Sequence, residues 1–266
     1  MPMREPSASR MPVVFIGHGN PMNALRDTPF TRKLRQMGQG LPRPKAILCI
    51  SAHWMTEGVW VTGMEQPRTI HDFGGFPRAL FAMNYPASGD PVLAQFIRDM
   101  ITTPEIHIDT GTWGLDHGSW SILHHMYPAA DIPVVQLSLD RAQPPEFHFK
   151  LGQALRKLRD EGVLVIGSGN IVHNLRQISF DDHAAPFDWA VAFDAWVKER
   201  IESRDFPALI HHATQSEAGQ LSIPTPDHWY PLLYILGAAE AADTLRFDYE
   251  GIENASISMR CLTFGG

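Results

Sequence analysis

A chain of 266 residues, 44% hydrophobic and 19% charged, is long enough to bury one large core and too apolar to be disordered. Its formal charge of −7 and the lack of a basic stripe argue against a nucleic-acid partner, and no apolar run is long enough to make a membrane one. With Cys49 and Cys261 as the two cysteines, no disulfide framework is expected and a cytoplasmic location is the default.

Residues 1–10 hold two arginines but no apolar signal-peptide core, so they read as a frayed leader before a single domain over 11–266. Residues 13–16, Val-Val-Phe-Ile, form a β-branched run free of charge, the pattern of a buried strand. The run stops at Gly17-His18-Gly19, where two glycines let the backbone turn tightly and present an imidazole at the carboxyl end of the strand. Residues 22–40, with Leu25, Phe30, Leu34 and Met37 at mixed spacing, suggest a loop leading into a short helix. Residues 46–51 are a second apolar strand running into His53 and Trp54. If the two strands are neighbours in a parallel sheet, both imidazoles reach the same sheet edge.

Residues 59–64 alternate loosely, as a further strand would. The glycine-rich stretch 69–77 reads either as a surface turn or as a lid in which Phe73 and Phe76 wall a pocket for a planar substrate and Gly74 and Gly75 act as pivots. Residues 91–101 form an amphipathic helix with Val92, Phe96 and Met100 on one face. A short strand at 106–109 precedes Trp113-Gly-Leu-Asp-His117-Gly-Ser-Trp120 and a helix over 120–126 that Ser119 is placed to cap. Residues 132–139 are a third strong strand, followed by a helix over 144–160 with Phe147, Leu151, Leu155 and Leu158 inward. The fourth, 163–167, ends in Gly167-Ser-Gly-Asn170 and then His173; that loop lacks the lysine or third glycine of a phosphate-binding motif. A helix over 187–201 turns Trp189, Phe193, Trp196 and Val197 inward, and Thr225-Pro-Asp-His228 leads into another over 232–239. Residues 253–264 alternate as an antiparallel edge strand would.

Thirteen histidines are about twice the number expected at average usage. Five of them, His18, His53, His117, His173 and His228, fall in loops or at strand ends beside Gly, Pro or Trp. Neutral imidazole is the commonest metal ligand. Three protein ligands with open positions make a reactive site, and no Cys-x-x-Cys pair suggests a closed structural one. His71, His107, His124, His125, His148, His183, His211 and His212 read as surface or packing residues.

Six ordered motifs carry a resemblance: Gly-His-Gly-Asn-Pro at His18, Ser-Ala-His-Trp at His53, His-Asp-Phe-Gly-Gly-Phe-Pro, Gly-Leu-Asp-His-Gly-Ser-Trp at His117, Gly-Asn-Ile-Val-His-Asn-Leu at His173 and Thr-Pro-Asp-His at His228. From about Met11 onward the chain resembles the bacterial 4,5-DOPA extradiol dioxygenases of the class III, LigB-type ring-cleaving superfamily. The resemblance implies a single α/β domain with a central mixed β-sheet flanked by helices. It implies His18, His53 and His228 as metal ligands, His173 as the acid/base residue and His117 as a pocket histidine. Many superfamily members use two histidines and a glutamate; a third histidine removes a negative charge and suits zinc as well as iron. One divalent metal is expected, Fe(II) for activity with Zn(II) in the purified protein as an alternative. Phe73, Phe76 and Asn170 are the expected substrate-pocket residues.

The chemistry expected is the opening of a catechol by O2 beside its two hydroxyls, giving a muconate-type semialdehyde. A cation acidifies the bound hydroxyls, a redox-active metal links ring and dioxygen, and a histidine base moves the proton. The partners are then a small aromatic diol and O2, in a monomer or homodimer. Two alternatives use the same residues: a zinc hydrolase in which the triad activates water, and a non-enzymatic binding protein with a histidine-lined cleft.

Overall fold

The computed structural model describes residues 10–181 and 184–265; His183 and all of the expected leader but Arg10 lie outside the described residues. Ten strands are described: β1 (Val13–Gly17), β2 (Ala46–Thr56), β3 (Val59–Thr62), β4 (Ile106–Asp109), β5 (Val134–Asp140), β6 (Val163–Gly169), β7 (Leu245–Tyr249), β8 (Ile252–Glu253), β9 (Ile257–Ser258) and β10 (Cys261–Phe264). Eight of them form one mixed sheet in the order β4-β3-β5-β2-β6-β1-β10-β7, and β8 pairs with β9 in a small ribbon. The centre, β5-β2-β6-β1, is parallel; β3 is antiparallel to β5, and β10 to β1 and β7.

The central strands read as unbroken apolar runs because helices cover both faces of the sheet. Alternate residues feed two cores, as a period of two requires. Val13, Phe15, Leu48 and Ile50 pack with Leu93, Ile97, Phe193 and Leu233 on one face. Val14, Ile16, Ile47 and Cys49 pack with Phe30, Leu34, Trp120 and Leu123 on the other. The result is a single α/β domain with a mixed sheet between helical layers.

Several expectations are corrected. Strands β1 and β2 are not neighbours: β6 lies between them and is parallel to both, so the carboxyl ends still share an edge. Strand β2 runs on past residue 51 to Thr56, with a register irregularity between Ile50 and Met55, so His53 sits inside a strand. The helix Pro91–Met100 buries Leu93, Ala94 and Ile97, whereas Val92 is 79% exposed. Its two apolar stripes lie side by side, and small Ala94 allows close approach to Gly63. Helix 144–160 is broken into Pro145–Ala154 and Lys157–Asp160. Trp189 and Trp196 are only partly buried against the core. The helix at 120–126 begins at His117 and is capped by Asp116, not Ser119. The tail is not an edge strand: Asn254 and Ala255 take positive φ and fold 252–258 into the ribbon, while β10 is interior and β7 forms the edge.

Candidate metal centre

The carboxyl ends of β1, β6 and β2 deliver the site. The His18 backbone N–H donates to the Gly169 carbonyl at 3.1 Å, and the Asn170 N–H donates to the His228 carbonyl at 2.9 Å. The end of β6 thus braces both histidine-bearing segments. Gly169 is obligatory there, because a Cβ would run into the His228 carbonyl. Gly19 turns the chain away from His18 at φ +64°, the left-handed region that favours glycine. His117 opens its helix, and His173 pairs with Ile257 as an isolated bridge while its N–H donates to the Ser222 carbonyl.

Four of the five imidazoles have Nδ1 turned to an oxygen behind the ring. Ser168 Oγ donates to the Gly118 carbonyl at 2.5 Å, so it accepts from His18 Nδ1 at 2.9 Å. Asp72 Oδ2 accepts from His117 Nδ1 at 2.9 Å and lies 3.3 Å from His53 Nδ1, and Asp227 accepts from His228 Nδ1 in a short hydrogen bond. These acceptors place a proton on Nδ1 of His18, His117 and His228 and leave Nε2 of each as the nitrogen that can ligate. His18 Nε2 and His53 Nε2 face each other at 3.1 Å. That separation falls between the values two imidazole nitrogens bound to one ion at about 2.1 Å adopt at a right angle and at the tetrahedral angle.

The centroids of the His18, His53 and His228 rings form a nearly equilateral triangle with sides of 5.0, 5.2 and 5.1 Å. Imidazoles bound through nitrogen at about 2.1 Å to one ion place their centroids about 5.2 Å apart at the tetrahedral angle and about 4.5 Å apart at a right angle. His117 is within ligand reach too, since its donor atom and those of His18 and His53 lie within 4.8 Å of one another. Its ring, however, is 3.9 Å from His53 and 5.6 Å from His18, which does not fit rings sharing one ion with His53. His173, Asp227 and His228 form a second such cluster, in which the His173 ring stacks on His228 at 3.4 Å. Asp227 is already the hydrogen-bond acceptor of His228, which makes it a support.

Burial, and then the neighbouring histidines, push the pKa values of His18 and His53 well down. His173 is pushed down to about 2 by burial and His228. These three imidazoles are therefore neutral at physiological pH, the state in which an imidazole nitrogen can ligate a metal. Burial alone would raise the Asp227 and Asp72 carboxyls, but hydrogen bonds from His228 and His117 outweigh it and lower both. Asp116 is raised by burial and by the charge of Asp72, and accepts from Ser51 Oγ at 2.7 Å.

The cleft in front of these rings has a volume of about 400 Å³. Phe73 and Phe76 line it, as do His117 and His173. Asn170 does not. It is buried, its Nδ2 donates to the Ser258 carbonyl at 2.8 Å, and its backbone steadies His228, so the pocket expectation for Asn170 is corrected. A larger groove of about 530 Å³ lies beside Arg260 and contains none of the five histidines. His71, His107, His124, His125, His148, His211 and His212 do not line the cleft; buried His125 bonds to the Asn23 carbonyl at 2.8 Å. Sequence reasoning missed Asp72, Ser168 and Asp227. Asp72 and Asp227 each stand next to a histidine in sequence, which was the available signal.

The description "Catalytic LigB subunit of aromatic ring-opening dioxygenase" belongs to a family model that matches residues 13–259. A 4,5-DOPA dioxygenase extradiol of Escherichia coli K12 is 46% identical over 97% of this chain and 96% of its own length. One of Beta vulgaris is 40% identical over 85% of each. The crystal structure of an uncharacterized protein from Escherichia coli K12 superposes with a TM-score of 0.84 at 42% identity, over 96% of this chain and 100% of that one. Fold, imidazole cluster and kinship agree, and together they imply a metal: the chain belongs to the LigB family of aromatic ring-opening dioxygenases, on the branch of the 4,5-DOPA extradiol dioxygenases.

Proposed function

We propose that residues 11–266 form one catalytic domain, a non-haem Fe(II)-dependent extradiol dioxygenase that opens a catechol with O2 to a muconate-type semialdehyde. The observation that carries the metal is the convergence of His18 Nε2 and His53 Nε2 to 3.1 Å, with the His228 ring completing the triangle. His18, His53 and His228 would hold the ion through Nε2. Bound there, iron would supply the charge that acidifies both hydroxyls and the redox link between ring and dioxygen, which zinc lacks.

The remaining work falls to the chain. Phe73, 5.5 Å from the His117 ring, and Phe76 clamp a flat ring and exclude water. His173 lines the cleft as a neutral imidazole and takes the proton of a catechol hydroxyl, then returns it as the ring opens. His117, its Nδ1 held by Asp72, turns Nε2 to a substrate hydroxyl or to dioxygen and orients it. Both oxygen atoms of O2 end in the product, and the bond broken lies beside the two hydroxyl-bearing carbons.

The enzyme is expected in the cytoplasm as a monomer or homodimer, with Zn(II) an alternative occupant after purification. The buried free thiols of Cys49 and Cys261 support a reducing compartment, and among the described residues no helix is long and apolar enough to cross a membrane. Anaerobic loading with Fe(II), followed by a catechol and air, should give stoichiometric dioxygen uptake and a yellow product. Iron-loaded protein that consumes no dioxygen with any catechol would sink the reading, and hydrolysis without uptake would favour the zinc alternative.

A further inference from the structure

The loop that carries Phe73 and Phe76 is fastened to the imidazole cluster through Asp72. Its entry is held by Ile70, whose N–H donates to the Leu115 carbonyl at 2.7 Å and whose carbonyl accepts from Trp120 Nε1 at 2.8 Å. Beyond Asp72 that support ends. Among the described residues, the backbone of 73–76 makes no hydrogen bond to other backbone, and Gly75 takes φ +79° in open space. Asp72 is the last hydrogen-bonded anchor before the aromatic wall. Its Oδ1 accepts from the His117 N–H and its Oδ2 from His117 Nδ1, both at 2.9 Å. That same Oδ2 stands 3.3 Å from Nδ1 of His53.

What His53 offers this carboxylate depends on a cation. His18 Nδ1 donates to Ser168 Oγ at 2.9 Å, so His18 Nε2 presents only a lone pair. A neutral His53, its Nε2 facing that lone pair at 3.1 Å, is best placed with its proton on Nε2 as the donor of the bond. Its Nδ1 lone pair then points at Asp72 Oδ2 and is repelled. A cation held by His18, His53 and His228 takes the Nε2 lone pairs, and a neutral His53 must then carry its proton on Nδ1, where Asp72 accepts it. One proton leaves Nε2 for solvent and one arrives from solvent at Nδ1. The ring's charge is unchanged, and a repulsion gives way to a charge-assisted hydrogen bond.

We infer that Asp72 is a positioning residue that couples the cation to the substrate wall: filling the three-histidine centre switches the His53 tautomer and docks the loop over 69–77 onto the cleft. The inference rests on the metal triad proposed above and not on ring cleavage. The two rings are anchored without Asp72. His53 lies within β2, and His117 opens a helix whose cap, the buried Asp116, accepts from the Ser119 N–H at 3.2 Å. The loop is therefore the partner that moves.

The test is chymotrypsin cleavage between Phe73 and Gly74, since Phe76 is followed by Pro77, on the full chain with and without bound Zn(II). Zinc fills the centre without turnover. It should slow this cut about tenfold or more in the native protein, and by less than about twofold in Asp72→Asn at equal zinc content. Nitrogen NMR shifts of the ring should show the His53 proton on Nε2 without zinc and on Nδ1 with it. Equal cleavage of the native protein in both states overturns the coupling and leaves the triad standing. Protection that survives in Asp72→Asn does the same, because it marks general stabilisation by the metal. A His53 proton on Nδ1 in both states overturns the switch. A native protein that takes up no zinc brings down the triad and the inference together. The native comparison and the ring shifts decide the matter even if Asp72→Asn fails to fold.

Discussion

The two walls of the cleft are built by opposite means. On one, four imidazoles have Nδ1 turned to a serine or carboxylate oxygen, and their segments are laced to one another through the end of β6. On the other, Phe73, Phe76, Ile178 and Phe180 stand on loops and Leu175 on a single 3-10 turn, and at Gly74 and Gly75 there is open space around the chain. Where nitrogens must converge on one point, the fold fixes them at strand ends with a second layer of hydrogen bonds. Where a substrate has only to be covered, apolar loops suffice and tolerate change.

The strongest way to break this contrast is to remove a braced ring. His18→Ala should leave less than about a tenth of an equivalent of bound metal and lower kcat/KM for dioxygen uptake by about a thousandfold or more, read by metal analysis and an oxygen electrode. A variant that keeps full metal and half the activity would dissolve the distinction.

The foundation of the braced wall also titrates. Fully buried His148 stacks on Tyr230 at 3.9 Å, two residues beyond His228, and shares a 3.1 Å hydrogen bond with the Tyr234 hydroxyl. Burial pushes its pKa down to about 4, against the opposing pull of the Gln143 carbonyl and Asp140. The folded state therefore holds it neutral, while the unfolded chain takes up a proton below about pH 6.5. Its contribution is fully present above that pH and is lost as pH falls toward 4, about 3 kcal/mol in all. Urea midpoints measured from pH 7 to pH 4 should fall less steeply in His148→Gln than in the native protein, the remaining slope belonging to the other buried histidines such as His18, His53 and His173; parallel slopes would remove His148 from the account.

A smaller effect is expected one layer out. Asp227→Asn keeps the shape but weakens the hold on the His228 tautomer, and metal affinity should fall about tenfold to a hundredfold with the cooperativity of unfolding unchanged. Smallest of all, Phe76→Ala should raise KM for a catechol about fivefold with kcat and metal content little altered. A large drop in kcat instead would mean that the loop wall also sets the reacting geometry.

The braced wall was largely legible in the sequence and the loop wall only in part. Parallel strands covered on both faces are continuous apolar runs, so β1, β2, β5 and β6 declared themselves, and with them the positions of His18, His53 and His173. The order of strands did not, because pairing between β6 and both β1 and β2 leaves no mark in any one segment. The ribbon at 252–258 was hidden for a related reason: its reversal depends on positive φ at Asn254 and Ala255, and alanine gives no such signal. Asp72 and Asp227 were missed because a carboxylate beside a histidine in sequence becomes its support only when the fold turns it toward a ring nitrogen. Leu175, Ile178 and Phe180 follow His173 with no periodicity, and it is the cleft that makes them a surface.

Strand β10 lies between β1 and β7, and the Arg260 carbonyl accepts from the Gly17 N–H at 3.0 Å. The segment that carries His18 therefore acquires its outer partner from residues downstream of every imidazole. On the ribosome all the histidines emerge before 261–264 can pair, so the nascent polypeptide offers scattered donors and no shaped socket. Loading of the cation is accordingly a late event in biogenesis, following completion of the sheet.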